Sequence, residues 1–194
     1  MKEMRLEMKR STITLIVAVA VVAILVMTVV SSYNGLVSSE TTVDNKFAQI
    51  DVQLQRRADL IPNLVSTVKG YAAHEKEVIQ AISDARSKLV GAGTADEKVK
   101  ADNELTGALS RLLVVVENYP QLKADAQFAK LMDELSGTEN RISVSRKDYN
   151  DAVTSYNAKL RKLPTSIYAS MFGFDKRQLF RSSEGSDKAP EVSF

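Results

Sequence analysis

Few residues in this chain of 194 are equipped for chemistry. There is one histidine, His74, within Tyr71-Ala72-Ala73-His74-Glu75, and no cysteine. A helical zinc site needs the pair in His-Glu-x-x-His, and a di-iron bundle needs Glu-x-x-His pairs; the chain has neither. His74 therefore reads as a surface histidine without ligand partners. No Gly-x-Ser-x-Gly elbow sets up a serine nucleophile, and no Gly-Lys-Ser/Thr loop cradles a phosphate. Without cysteine there is no disulfide, thiolate metal site or catalytic thiol. The sequence predicts no enzyme, no catalytic residue, no cofactor and no bound metal.

What remains are polar residues set inside apolar patterns. Glu117-Asn118-Tyr119-Pro120 and Thr138-Glu139-Asn140-Arg141 lie next to core positions. Glu117, Asn118, Glu139, Asn140 and Arg141 are the candidate polar cluster between helices. Such a cluster serves either as a network that fixes helix register or as a site for a ligand or partner. Tyr-Asn pairs occur at Tyr33-Asn34, Tyr149-Asn150 and Tyr156-Asn157, the last two one heptad apart. The chain closes with Val192-Ser193-Phe194. Val192 and Phe194 are candidate docking residues, because a terminal apolar residue with another two positions earlier suits capture by strand addition, as in PDZ domains. The competing reading is a frayed terminus.

The elements that position these residues follow from the apolar pattern. Residues 11–30, STITLIVAVAVVAILVMTVV, carry no charge, proline or glycine. Twenty helical residues span about 30 Å, the thickness of a bilayer's hydrocarbon core. The run is longer than the apolar core of a cleaved signal peptide, so it predicts an uncleaved membrane anchor. Lys2, Arg5, Lys9 and Arg10 precede it, and the next basic residue is Lys46. That asymmetry places the amino terminus in the cytoplasm and the rest of the chain outside. The net charge of +2 comes from this head, and the neutral remainder offers no basic stripe for nucleic acid. With eight glycines and four prolines, the composition favours long helices over strands and turns.

From Tyr33 to about Leu60 the pattern predicts a helix that runs on from the anchor, with a kink or break at Pro62. A second helix is expected from Leu60 to Leu89, ending at Gly91. Thr94 and Glu97 have capping-box spacing for a third, which Asn118-Tyr119-Pro120 ends. The last long helix is expected from near Gln121 to Pro164. In it Phe128, Leu135, Ile142, Tyr149, Tyr156 and Leu163 recur every seven residues, with Leu131, Met132, Val153 and Leu160 on a second seam. That repeat predicts lengthwise bundle packing. Residues 167–180 read as a short amphipathic piece broken at Gly173. The fold class is therefore all-α: a single transmembrane helix followed by an elongated antiparallel bundle of three to four long helices. The expected divisions are a cytoplasmic head at 1–10, the membrane helix at 11–32, an extracytoplasmic bundle at 33–180 and a disordered tail at 181–194.

These residues bring the chain close to a known family. Tyr33-Asn34-Gly35-Leu36-Val37, the stretch from Gln53 through Arg56-Arg57-Ala58-Asp59-Leu60-Ile61-Pro62-Asn63-Leu64-Val65, and Val68-Lys69-Gly70-Tyr71-Ala72 with His74-Glu75 come first. Glu117-Asn118-Tyr119-Pro120, Thr138-Glu139-Asn140-Arg141, Tyr149-Asn150, Tyr156-Asn157 and Gly173-Phe174 follow in order. Taken together they resemble the LemA family of bacterial membrane proteins. The family often has a tryptophan between Gln49 and Gln53, where this chain has Ile50 and Val52. The resemblance implies a single-pass protein of the inner, cytoplasmic membrane with an external helical bundle. It carries over no enzymatic activity, cofactor or catalytic residue. A relative linked to magnetosome membrane formation and a general association with envelope processes point to a scaffold or adaptor. Its expected partners are the membrane, other envelope proteins or copies of itself. The alternative is an extracytoplasmic sensor that uses the polar cluster as its ligand site; a hydrolase ranks third.

Overall fold

In a computed structural model, the described residues are 2–180 for the backbone and 12–180 for the side chains. They are overwhelmingly helical, with no strand among them: α1 (Lys2–Tyr71), α2 (Lys76–Gly91), α3 (Ala95–Val116), α4 (Pro120–Lys123), α5 (Ala126–Arg161) and α6 (Thr165–Tyr168), then a 3-10 turn at Ser170–Phe172. The all-α class and the long apolar N-terminal helix are as the sequence predicts.

α1 does not break at Pro62. Leu36, Val43, Ile50 and Leu64 recur at multiples of seven and are at most 1% exposed, with Leu54, Ile61 and Val68 on the adjoining seam. Packing of that stripe carries the helix through the proline. Pro62 has no N–H to give the Ala58 carbonyl. That carbonyl instead accepts a hydrogen bond from Arg86 Nε of α2 at 2.8 Å. The expected second helix from Leu60 to Leu89 is corrected in the same stroke: residues 60–71 belong to α1, and the chain turns at 72–75. Buried Ala72 anchors this turn, and its carbonyl accepts the Glu75 N–H at 3.1 Å. Two tyrosine hydroxyls brace it, Tyr71 donating to Asp125 at 2.9 Å and Tyr119 to Glu75 at 2.8 Å. His74 is an exposed residue of that turn.

α2 ends at Gly91, and the capping box predicted for α3 forms. Thr94 Oγ1 accepts the Glu97 N–H at 3.3 Å, while the Glu97 carboxylate accepts the N–H groups of Gly93 and Thr94 at 2.9 and 3.1 Å. These donors, Gly93 first, hold the Glu97 carboxyl below its usual range. α5 begins at Ala126 rather than near Gln121, because Pro120 starts only the single turn α4 and Asp125 makes the next start. Its carboxylate accepts the Phe128 N–H at 2.7 Å and is held below the usual range chiefly by that bond. At the other end α5 stops at Arg161, so Leu163 falls off the heptad seam and is 78% exposed. Gly173, at φ 78° in the left-handed region, ends the 3-10 turn, as its break in the pattern suggests. Residues 174–180 are not helical.

The chain forms two compact units. One comprises Met1–Val43 and Ala152–Arg177. Its core is Leu36, Val43, Val153, Tyr156, Leu160 and Phe174, and the Lys159 ammonium donates to the Ser39 hydroxyl. The Asn157 side-chain amide pairs with the backbone of Arg177 through both of its ends, at 2.8 and 3.1 Å. The other unit comprises Asp44–Asp151 and Gln178–Phe194. It holds α2, α3, α4 and the matching parts of α1 and α5 around Ile50, Ile61, Leu64, Ile82, Leu105, Leu112 and Ile142. There Asn150 pairs with the Phe180 backbone in the same two-ended way, at 2.9 and 2.9 Å, and the Phe180 ring packs on Phe47 and Tyr149.

Candidate functional site

The heptad seams of the second unit are apolar except where four charges interrupt them. On α1, Arg57 lies seven residues from both Ile50 and Leu64. On α3, Asp102 precedes Leu109 and Val116 at the same interval, and on α5 Glu139 and Arg146 continue the seam of Met132 and Val153. Seam positions face partner helices, so these side chains should converge. Arg57, 3% exposed, and Asp102, 1%, meet in the interior, and Arg146 and Glu139 reach them from its edge with side chains 21% and 41% exposed. Arg57 Nη1 donates to Asp102 Oδ1 at 2.7 Å and also to the Glu139 carboxylate. Its Nη2 donates to Thr106 Oγ1 at 3.0 Å. Arg146 Nη2 reaches the other Asp102 oxygen at 2.8 Å. Three helices, α1, α3 and α5, are joined through one carboxylate. Burial pushes the Asp102 carboxyl above its usual range, against the pull of Arg57 and Arg146.

This network can hold helices in register, since each charge is satisfied only when all three seams align. It leaves little room for a ligand, because the interior groups are engaged with one another. The guanidinium Nε atoms of Arg57 and Arg146 are the buried exceptions, without a protein acceptor.

The residues singled out from sequence do not form one cluster. Glu139 alone joins the network. Arg141 is exposed and donates from Nε to Gln53 at 3.1 Å, and Asn140 is exposed beside it. Glu117 and Asn118 are exposed just past the end of α3, and Glu117 pairs with Lys123 at 2.7 Å. Fifteen residues separate Asp102 from Glu117, about 22 Å of helix. The physical reason is that being next to a core position in sequence turns a side chain about 100° away from it. Sequence reasoning missed Arg57, Asp102 and Arg146; the seven-residue interval to their apolar neighbours was the available signal. Val192 and Phe194 lie outside the described residues.

A separate groove of about 600 Å³ opens on the second unit, lined by Asp51, Val52, Arg56, Asp59, Val90 and Lys98 among others. An ion pair of 2.6 Å joins Lys98 to Asp51, and no member of the buried network lines the groove. Among the described residues no group of three or more His, Asp or Glu side chains is placed to hold a metal ion.

A model of the LemA family matches residues 46–194. The chain is 28% identical to "Magnetosome protein MamQ 2" of Paramagnetospirillum magneticum, over 89% of this chain and 73% of that protein. It is 26% identical to "Magnetosome protein MamQ" of Magnetospirillum gryphiswaldense, over 93% and 76% of the two chains. It is 25% identical to "Protein LemA" of Metamycoplasma hominis, over 78% and 69%.

Proposed function

Because the chain belongs to the LemA family, we propose that it is a non-enzymatic scaffold or adaptor of the bacterial cell envelope, held in the inner membrane by one helix. One observation carries this reading above the rest. The apolar stretch of α1 is 0% buried, yet the same helix supplies the apolar seam of the bundle. Apolar side chains such as Leu15, Ile24 and Met27 are 63–70% exposed, and lipid is the solvent that suits them. Basic residues crowd one flank of the stretch, which supports a cytoplasmic amino terminus and an external bundle over residues 33–180. Relatives named for the magnetosome support work at a membrane-bound structure.

The interaction surface is then the outside of the bundle, where Val52, Val90, Leu113 and Val114 are 48–73% exposed. The partners are other envelope proteins or copies of the same chain. The mutual engagement of Arg57, Asp102, Glu139 and Arg146 supports a structural role for the network over a ligand pocket. A photo-crosslinking residue placed at Val52 or Val114 in intact cells is expected to capture a protein partner or a second copy. The same residue at buried Ile142 should capture none. Absence of adducts from every exposed position would contradict the adaptor reading.

A further inference from the structure

Between Asp151 and Asp175 the chain carries three cations, Lys159, Arg161 and Lys162, and no carboxylate. Just beyond the end of α5, Leu163, Ile167 and Met171 recur every four residues, with Phe172 next. They are 78, 70, 81 and 49% exposed. The turn that presents them is well built. Tyr168 and Ala169 are buried beneath it, and the Ala169 carbonyl accepts the N–H groups of Phe172 and Phe174 at 3.2 and 3.0 Å. An ordered surface that shows four large apolar side chains within ten residues marks a binding face.

The position of this face within its unit identifies what covers it. Phe172 and Phe174 pack edge-on against Tyr33 of α1, with ring centroids at 5.3 and 5.5 Å. Tyr33 lies three residues past Val30, the last of the apolar stretch, which is about 4.5 Å along the helix. The headgroup layer flanking a hydrocarbon core is about 5–8 Å deep on each side. Aromatic rings at that depth, in a segment whose only charges are the cations Lys159, Arg161 and Lys162, match the two chemistries of a bilayer surface.

We propose that residues 161–172 form a second membrane contact. Leu163, Ile167, Met171 and Phe172 enter the bilayer face from which α1 emerges, and Arg161 and Lys162 lie against lipid phosphates. The inference rests on the reading of residues 11–30 as a membrane span, but not on which side of the membrane the bundle occupies. The contact would fix the angle at which the first unit leaves the lipid, which a single helix passing through a bilayer does not do.

The chain has no tryptophan, so one introduced residue reports cleanly. The full chain is reconstituted in phosphatidylcholine–phosphatidylglycerol vesicles, with and without brominated acyl chains. The variants are Met171→Trp, Ile167→Trp, Ala23→Trp in the span and Val114→Trp on the bundle surface. Bromolipid should remove most of the emission of M171W, I167W and A23W, the first two being blue-shifted, and should leave V114W unchanged. Quenching of A23W with M171W and I167W unquenched and open to acrylamide would overturn the second contact and leave the span standing. An unquenched A23W would overturn the span, and the contact with it. Blue-shifted emission from M171W that ignores bromolipid and fades on dilution would show a second copy covering the face, and would also overturn the proposal.

Discussion

Asp102 holds guanidinium groups from two other helices, Arg57 at 2.7 Å and Arg146 at 2.8 Å. Replacing it by asparagine leaves both cations facing an uncharged group in the interior. Breaking a buried pair costs about 3–5 kcal/mol, and urea unfolding of Asp102→Asn is expected to show a loss of that order. Removing the charges together, as in Arg57→Met with Asp102→Leu and Arg146→Met, should cost less than the single change, because no ion is stranded in the interior and Glu139, its side chain 41% exposed, keeps its access to water. A triple variant weaker than D102N would contradict the network as drawn. Arg86 supports a second test at this scale. Its bond to the Ala58 carbonyl replaces the one Pro62 cannot make, so Arg86→Met should cost about 1–3 kcal/mol, and much less in a Pro62→Ala background where the helix supplies its own donor. The charged seam residues were legible in the spacing of 50, 57 and 64, or of 139, 146 and 153. What spacing does not give is which seam faces which, so the pairing of Arg57 with Asp102, 45 residues away, came only from the structure.

Helix boundaries were readable where a side chain caps its own backbone and unreadable where the partner is distant. The capping box of Thr94 and Glu97 is a local pattern that marks the start of α3; the Asp125 cap of α5 is as local, but Pro120 five residues earlier is the stronger boundary signal and masks it. The continuity of α1 through Pro62 depends on Arg86 from another helix, which no window around the proline contains. The caps also set a response to acid. Glu97 and Asp125 are held below the usual carboxylate range by backbone donors, so each contributes stability that is present above the unfolded-state value and lost as pH falls toward the folded one. Melting temperature followed from neutral pH into the acid range should therefore fall less steeply for Asp125→Asn and Glu97→Gln than for the parent chain. An unchanged slope in both variants would show that these caps do not link stability to pH.

At the scale of the whole molecule, the apolar stretch and the all-helical composition were plain in sequence, because both are long-range averages of residue type. The division into two compact units was not, since α1 and α5 each run through both without a break in pattern. α1 is apolar on every side over residues 12–30 and carries its buried apolar seam on one side thereafter, which is what a membrane-spanning helix continuing into a bundle requires. The most direct measurement is extraction of membranes from cells making the full chain, first with high salt and then with alkaline carbonate. The chain should stay in the pellet through both washes and leave only with detergent. Release into the supernatant by either wash would contradict a membrane-spanning helix and the scaffold built on it.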